Sequence, residues 1–253
     1  MKIDFSKYSS VRIGGIFDVE VLDEMREFDG VIIGGANNLL ISPNPPKMGI
    51  LGSEFDYIKL ENGVLKIGAK TPSSKIYKFT KDNNIGGFEF VKKIPGTLGG
   101  MIKMNAGVKE YEISNLLLNI TTSKGIALAS ECEFSYRHSN IDGAIFEASF
   151  EIIREFDEAL SNKLNQKRSN QPKGASFGSC FANPAGDHAG RLLEAAGMKG
   201  YRIGGCGFSE IHANFLINYG SGSFNDAIEL INLAKNRVAE LFGIELRCEV
   251  VIL

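Results

Sequence analysis

The sequence predicts an α+β fold divided into two lobes, and three observations support this prediction. Short β-branched segments alternate with a helical pattern between residues 17 and 153. Two glycine-rich stretches interrupt this region, and one of them directly follows an apolar strand. A charged segment of helical period, residues 154–170, then predicts a surface connector between the lobes. A chain of 253 residues is long enough for this organisation and for a sizeable core.

The first lobe is predicted to cover residues 1–155. Three prolines, Pro43, Pro45 and Pro46, mark a loop that we interpret as the seam between subdomains of about 1–47 and 48–155. Within the second subdomain, Glu61-Asn62-Gly63 is a hairpin signal. The predicted elements, in order, are strands at Phe17–Val21 and Val31–Ile33, alternating strands over residues 50–69, a helix at Thr71–Asn83, and strands at Ile113–Thr121 and Ile145–Ile153.

The second lobe is predicted to cover residues 156–253. A short helix is expected at Gly190–Ala196, and a strand lies within Phe208–Asn218. Ser223 and Asp226 have the spacing of a capping box, and Gly243 is placed to end the long helix that follows. Its expected apolar stripe is Ile228, Ile231, Ala234, Val238 and Leu241. The chain closes with a predicted strand, Ile244–Leu253, which we allow to return to the first lobe.

Composition argues against several classes of partner. The formal net charge is −2 and no basic stripe with interleaved aromatic residues occurs, so nucleic acid is not an expected partner. The N-terminal segment lacks the apolar region of a signal peptide, and no stretch approaches the length of a membrane span. Four cysteines and three histidines are dispersed, which predicts reduced thiols and no metal site. We therefore expect a cytoplasmic protein with no obligate protein partner.

The two glycine stretches are the strongest local signals. Gly34-Gly35-Ala36-Asn37-Asn38-Leu39 follows the strand Val31–Ile33, and a second stretch runs from Gly86 to Gly107. Turns of this kind can direct several backbone N–H groups into one concavity that holds phosphate. Neither stretch has the Rossmann or P-loop pattern. Two separated loops predict a cofactor with two phosphates held from both sides, although from composition alone an exposed glycine loop remains open.

Four further motifs follow the glycine stretches in a fixed order. They are Tyr136-Arg137-His138-Ser139, Gln171-Pro172, Gly178-Ser179-Cys180-Phe181-Ala182-Asn183-Pro184 and His212-Ala213-Asn214-Phe215. Together the six motifs resemble those of the UDP-N-acetylenolpyruvoylglucosamine reductases, flavoenzymes that complete UDP-N-acetylmuramate for peptidoglycan. The resemblance spans nearly the whole chain. Because the span from Ser139 to Arg168 is short, the chain resembles the compact, second-type branch of that family.

The resemblance implies a fold, a cofactor and a reaction. The fold would be a FAD-binding lobe of the vanillyl-alcohol-oxidase type, built from two subdomains, followed by a substrate lobe. FAD would bind non-covalently, NADPH would donate electrons, and the substrate would be UDP-N-acetylglucosamine enolpyruvate. No histidine precedes His138, which excludes a histidyl tether to flavin from the glycine-loop region. The expected FAD contacts are Gly34, Gly35, Ala36, Asn37, Asn38, Leu39, Pro95, Gly96, Thr97, Gly99, Gly100, Asn105, Gly107 and Arg137.

The resemblance also implies three catalytic residues. Hydride addition at C3 of the enolpyruvyl group sends negative charge into the carboxylate, which Arg137 would stabilise. Glu249 would assist only if protonated, so we expect a raised pKa. Ser179 would deliver the proton to C2, and Tyr136 and Asn183 complete the expected substrate contacts. From the residues alone, structural roles stay open: a salt bridge for Arg137, a turn hydroxyl for Ser179, and pairing with Arg247 for Glu249.

Some positions depart from the family pattern. Ala36 and Asn37 stand where the family more often has Gly and Ser. Because alanine resists positive φ by about 1–2 kcal/mol whereas asparagine tolerates it, we expect the turn to be shifted rather than lost. Lys93 replaces a usual glycine, and Ala182 stands where the family usually has a long polar or basic side chain that would contact the diphosphate. Two alternatives therefore remain: a FAD-carrying electron-transfer subunit of a molybdenum hydroxylase-type complex, and a UDP-sugar binding protein without flavin.

Overall fold

The computed structural model describes residues 1–152, 155–167 and 171–253. The chain forms two compact units, and each is discontinuous in sequence. The first unit contains Met1, Val19–Gly35 and Lys47–Ser169, and the second contains Lys2–Asp18, Ala36–Pro46 and Asn170–Leu253. These units follow the packing of the chain. The lobes 1–155 and 156–253 are instead defined by the ligands that each would bind, and this division stays a prediction.

The first unit is built on a five-stranded antiparallel sheet. Its strands, in spatial order, are Gly125–Leu128, Leu117–Thr122, Ile145–Glu151, Val64–Gly68 and Ile58–Glu61. Alternate residues of the central strand, Phe146, Ala148 and Phe150, share one face of the sheet and are fully buried in the core. The predicted Asn62-Gly63 hairpin is present, with φ values of +50° and +76° at its two central residues.

Smaller elements complete the first unit. Residues 19–22 of the strand Ile16–Leu22 pair in parallel with Met48–Leu51, which pairs in parallel with Val31–Ile32. Gly107–Val108 pairs with Tyr111–Glu112. The α-helices are Ser73–Asp82, Leu98–Lys103 and Glu158–Lys167, and 3₁₀ turns lie at Ser53–Phe55, Glu89–Lys93, Ile113–Leu116 and Ala129–Glu131.

In the second unit, a long helix packs against a four-stranded antiparallel sheet, and a short helix packs against the long one. The strand order is Ala175–Ser179, Phe215–Asn218, Cys206–Phe208 and Arg202–Ile203. The helices are Ala189–Ala195 and Phe224–Phe242, and Phe5–Tyr8 forms one short turn of helix. Lys2–Asp4 pairs with residues 16–18, and Leu39–Leu40 pairs in parallel with Val251–Ile252. The core includes Phe181, Phe208 and Leu216, each less than 2% exposed.

The long C-terminal helix begins and ends where the sequence predicts. Ser223 accepts a hydrogen bond from the Asp226 backbone, the reciprocal bond is present, and Gly243 ends the helix with φ of +66°. The predicted apolar stripe needs a correction, since Leu241 is 61% exposed and Ile228 is only partly buried. The buried face is instead Ala227, Leu230, Ile231, Ala234 and Val238.

Three other predicted elements differ from the structure. Residues 113–116 form a 3₁₀ turn before the strand that begins at Leu117. The predicted ten-residue C-terminal strand is reduced to Val251–Ile252, preceded by an isolated bridge at Cys248. The predicted connector helix is present over Glu158–Lys167, while Ile153, Arg154 and residues 168–170 lie outside the described residues. No helix in the described ranges combines the length and apolar character of a membrane span.

Candidate active site

The two glycine stretches contact each other within the first unit. Gly34 follows the strand Val31–Ile32, and the Ile33 N–H bonds the Gly49 carbonyl at 2.8 Å. A Cβ on Gly34 would lie 2.6 Å from the Thr97 Oγ1 atom of the second stretch. Only glycine therefore fits at residue 34 with the Thr97 hydroxyl in its present place.

Some backbone amides of the second stretch bond to the protein itself. The N–H groups of Leu98 and Gly99 donate to the carbonyls of Thr71 (3.0 Å) and Ala69 (2.9 Å). Gly96 has φ of +114°. A Cβ on Gly99 would approach Ala69 Cβ to 3.2 Å. Gly99 thus packs the loop against the preceding strand end, and its N–H is engaged there.

Asn105 lies near the end of the second stretch and is buried. Its side chain is 1% exposed and its φ is +40°. The Nδ2 group donates to Glu112 Oε2 at 2.8 Å and to the Ser135 carbonyl at 3.1 Å. Because both partners can only accept, the carboxamide orientation is fixed. Its Oδ1 atom is left buried with no hydrogen-bond partner among the described residues.

Arg137 lies in a tight turn. Ser135 and His138 exchange both backbone hydrogen bonds at 3.1 Å, so Tyr136 and Arg137 are the two central turn residues. Arg137 has φ of +54°, a conformation that costs a non-glycine residue about 1–2 kcal/mol. Its guanidinium donates to the carbonyls of Gly107 (3.0 Å) and Asn105 (3.4 Å) and lies 5.0 Å from the Tyr136 ring centroid. These contacts orient the cation against the second glycine stretch.

Ser179 ends a strand of the second unit, after an irregularity in the ladder. Ser176 pairs with Ile217, but Ser179 pairs with Phe215, so the register shifts between them. Gly178 has φ of +85° and its N–H donates to Ser176 Oγ at 3.0 Å, which shapes the bulge. The half-buried Ser179 side chain is placed by this local geometry.

Glu249 is held through its backbone by two other parts of the second unit. Its N–H donates to the Cys180 carbonyl at 2.9 Å, and its own carbonyl accepts from Asn38 Nδ2 at 2.8 Å. The Asn38 carbonyl in turn accepts the Val251 N–H at 3.0 Å. Asn38, predicted as a FAD contact, therefore also ties the first glycine stretch to the chain around Glu249. Burial raises the pKa of the Cys180 thiol well above its usual range.

Asn183 and His212 have structural contacts in the same unit. The exposed Asn183 accepts the Ala189 N–H at 3.0 Å through Oδ1. His212 Nδ1 accepts the Asn214 N–H at 3.2 Å, and its ring centroid lies 5.0 Å from that of Phe215. Burial lowers the pKa of His212, which favours the neutral ring that this hydrogen bond needs.

The structure distributes the predicted site residues between the units. The first contains Gly34, Gly35, Pro95, Gly96, Thr97, Gly99, Gly100, Asn105, Gly107, Tyr136 and Arg137, and the second contains Ala36, Asn37, Asn38, Leu39, Ser179, Asn183 and Glu249. Within the second unit, Ser179 and Glu249 are joined by the short segment that begins at Cys180. Two residues were not predicted as site residues: Glu112, which accepts a hydrogen bond from Asn105, and Asn214, whose side chain bonds to the Phe181 backbone. No triplet of His, Cys, Asp or Glu side chains suited to a metal occurs in the described part of the chain.

Comparison with known proteins extends over the whole chain. Residues 170–253 match the family model described as the C-terminal domain of UDP-N-acetylenolpyruvoylglucosamine reductase. The reductase of that name from Campylobacter jejuni strain RM1221 is 53% identical over 258 residues, with 100% of each chain covered. The enzyme of that name from Helicobacter pylori strain 26695 is 43% identical, covering 99% of this chain and 98% of the other.

The fold also matches a solved structure. UDP-N-acetylenolpyruvylglucosamine reductase from Thermus caldophilus superposes with a TM-score of 0.86 at 25% identity, covering 100% of this chain and 98% of that chain. The predicted α+β fold and the resemblance carried by the six motifs are thereby confirmed. The chain belongs to the UDP-N-acetylenolpyruvoylglucosamine reductase family.

Proposed function

We propose that this chain is an NADPH-dependent FAD enzyme that reduces the enolpyruvyl group of UDP-N-acetylglucosamine enolpyruvate to give UDP-N-acetylmuramate. The observation that carries the proposal is the 53% identity to a reductase of that name over the full length of both chains. The four cysteines are free thiols, which fits a location in the reducing cytoplasm. The product class places the enzyme in peptidoglycan synthesis.

Residues of the first unit fit a dinucleotide such as FAD. Gly34 leaves a cradle next to the Thr97 hydroxyl that any Cβ would fill. Asn105 Oδ1 is a buried acceptor that receives no hydrogen bond from the described residues, and FAD carries both N–H and O–H donors. Gly34, Gly35, Thr97 and Asn105 would hold the group, together with the other predicted contacts. When bound, FAD would accept hydride from NADPH and supply hydride to C3 of the substrate.

Residues of the chain would stabilise the negative charge on the substrate carboxylate and deliver the proton to C2. Arg137 would stabilise the substrate carboxylate as negative charge develops, because a guanidinium stays charged at all relevant pH values. Ser179 would deliver the proton to C2, and Glu249 in its protonated form would donate a hydrogen bond to the same developing anion. Tyr136 and Asn183 would contact the substrate.

Similarity over the whole chain also decides between the alternatives. A FAD-carrying electron-transfer subunit would need only the FAD-binding part, yet the family match includes residues 170–253, where Ser179, Asn183 and Glu249 lie. The space at Gly34 beside Thr97 is retained, which supports flavin binding over a binding protein without flavin. The reductase is therefore the function that we propose.

The first experiment follows the flavin in each half-reaction. Purified protein should be yellow, NADPH should bleach the flavin, and the enolpyruvyl substrate should restore the colour. We expect Ser179→Ala to leave bleaching intact and to slow reoxidation by roughly 10²–10⁴-fold, the usual contribution of a positioned acid. Ser221→Ala, at an exposed serine of the same unit, is the matched control and should reoxidise at the wild-type rate. Fast reoxidation of Ser179→Ala in rapid mixing would remove Ser179 from the mechanism.

A further inference from the structure

Asn214 makes a pair of side-chain bonds that the proposed chemistry does not use. The residue is 3% exposed. Its Oδ1 accepts the Phe181 N–H at 3.0 Å, and its Nδ2 donates to the Phe181 carbonyl at 2.8 Å. One carboxamide thus satisfies both backbone groups of one residue. This is the pairing that a neighbouring β-strand would otherwise provide.

The Asn214 bonds begin where the strand ladder ends. Ser179 is the last residue of its strand, and it pairs with Phe215. The next N–H, that of Cys180, donates to the Asn214 backbone carbonyl at 2.7 Å. Asn214 therefore extends the pairing for two residues beyond Ser179, through its backbone at Cys180 and its side chain at Phe181.

The same short segment holds Glu249 on its other side. Phe181 bridges to Cys248, the Ala182 N–H donates to the Arg247 carbonyl at 2.9 Å, and the Glu249 N–H donates to the Cys180 carbonyl at 2.9 Å. Residues 180–182 are consequently bonded to Asn214 on one side and to the chain at 247–249 on the other. A displacement of this segment would move the backbones of Ser179 and Glu249 together.

We propose that Asn214 is a positioning residue for the reduction, which sets the placement of Ser179 and Glu249 by fixing the backbone of Cys180 and Phe181. The inference rests on the proposed function, in which Ser179 delivers a proton and Glu249 stabilises the developing anion. A displacement of about 1 Å in a positioned group can cost on the order of 10²-fold in rate. We call the two side-chain hydrogen bonds between Asn214 and Phe181 the clamp. Loss of the clamp should therefore affect the chemical step more than substrate binding.

Two variants remove the clamp to different extents. Asn214→Asp retains the shape and the acceptor for the Phe181 N–H, but it removes the donor and places a carboxylate against the Phe181 carbonyl. Asn214→Leu removes both bonds. The matched control is Asn218→Leu, because Asn218 is also a buried asparagine, 8% exposed, and ends the strand that follows Asn214. Its carboxamide bonds to the backbone of Val11, Arg12, Gly220 and Gly222 and to none of residues 180–182.

The test measures both half-reactions of flavin-loaded enzyme by rapid mixing, in H₂O and D₂O. For both Asn214 variants we expect NADPH to reduce the flavin at the wild-type rate, while reoxidation by the enolpyruvyl substrate slows about 10- to 100-fold. The solvent isotope effect on reoxidation should rise, because transfer of the serine proton becomes limiting, and the substrate Kd should change little. Asn218→Leu should lower Tm but keep both rates and the isotope effect.

Two outcomes would overturn the inference and are distinct from failure of the proposed function. Reoxidation of both Asn214 variants at the wild-type rate would show that the clamp does not position Ser179 and Glu249. Equal slowing of both half-reactions, matched by Asn218→Leu, would show a general structural role instead. A wild-type flavin that NADPH reduces but the substrate does not reoxidise would overturn the proposed function and this inference with it.

Discussion

Replacing Gly34 with alanine tests the contact between the two glycine stretches. The new Cβ would lie 2.6 Å from Thr97 Oγ1, whereas ordinary contact begins at 3.4 Å, so the hydroxyl or the loop must move by roughly 0.8 Å. Overpacking of this kind costs about 1–3 kcal/mol. We expect Gly34→Ala to lower the free energy of unfolding of the apoprotein by that amount and to weaken FAD binding. Because the chain has no tryptophan, urea unfolding is followed by circular dichroism, and FAD binding by quenching of flavin fluorescence.

Gly100 and Thr97 supply the controls for this experiment. A Cβ on Gly100 meets the same Thr97 Oγ1 atom at 3.9 Å, an ordinary contact, and the residue lies in the helix Leu98–Lys103. Alanine is favoured over glycine in a helix by about 0.8–1 kcal/mol, so Gly100→Ala should be neutral or stabilising. Thr97→Ala removes the obstructing oxygen, and in that background the cost of Gly34→Ala should fall by at least about 1 kcal/mol. An equal cost of Gly34→Ala in both backgrounds would refute the packing argument.

Two further predictions concern Arg137 and Asp226. Glycine adopts the φ of +54° at residue 137 freely and alanine does not, so Arg137→Gly should be more stable than Arg137→Ala by about 0.5–1 kcal/mol in urea unfolding. In both variants the substrate should reoxidise the flavin slowly. Equal stability of the two variants would argue against backbone strain. Hydrogen bonds from the Ser223 backbone and then the Gly205 backbone lower the pKa of Asp226 below its ordinary 3.8. A lowered folded-state pKa stabilises the protein above the unfolded-state value, and this stability is lost as pH falls through the folded-state value. Asp226→Asn should therefore have a lower free energy of unfolding than wild type at pH 7, and this difference should shrink below about pH 4. A difference that does not change with pH in urea titrations would contradict the prediction.

Elements with local signals were predicted well from the sequence. The hairpin is specified by the adjacent residues Asn62 and Gly63, and the start of the long helix by Ser223 and Asp226, so both signals are local in sequence. The grouping of Lys2–Asp18 and Ala36–Pro46 with the C-terminal part depends on pairing between distant segments, such as Leu39–Leu40 with Val251–Ile252. No periodicity within either segment encodes such a partner.

The candidate site shows the same division between local and distant signals. The family resemblance predicts Ser179 and Glu249 as site residues, yet the residue types do not indicate that their backbones are joined through Cys180. Asn214 belongs to one of the sequence motifs, but its hydrogen-bond partner Phe181 lies 33 positions upstream. A buried asparagine that bonds a distant backbone cannot be distinguished from a turn asparagine by sequence alone.

Backbone strain adds a physical reason to connect two of the predicted site residues, Ala36 and Arg137, with function. Both have positive φ, and such a conformation costs alanine or arginine about 1–2 kcal/mol. The expected shift of the first turn away from Ala36 is wrong, because Ala36 itself adopts φ of +47° while its carbonyl accepts the Ser10 N–H at 3.2 Å. Strained residues persist only where the surrounding contacts determine the backbone, and they concentrate at binding and catalytic sites. The hydrogen bonds that hold Ala36 and Arg137 in these conformations therefore act against local preference, which is the behaviour expected of loops shaped for a ligand.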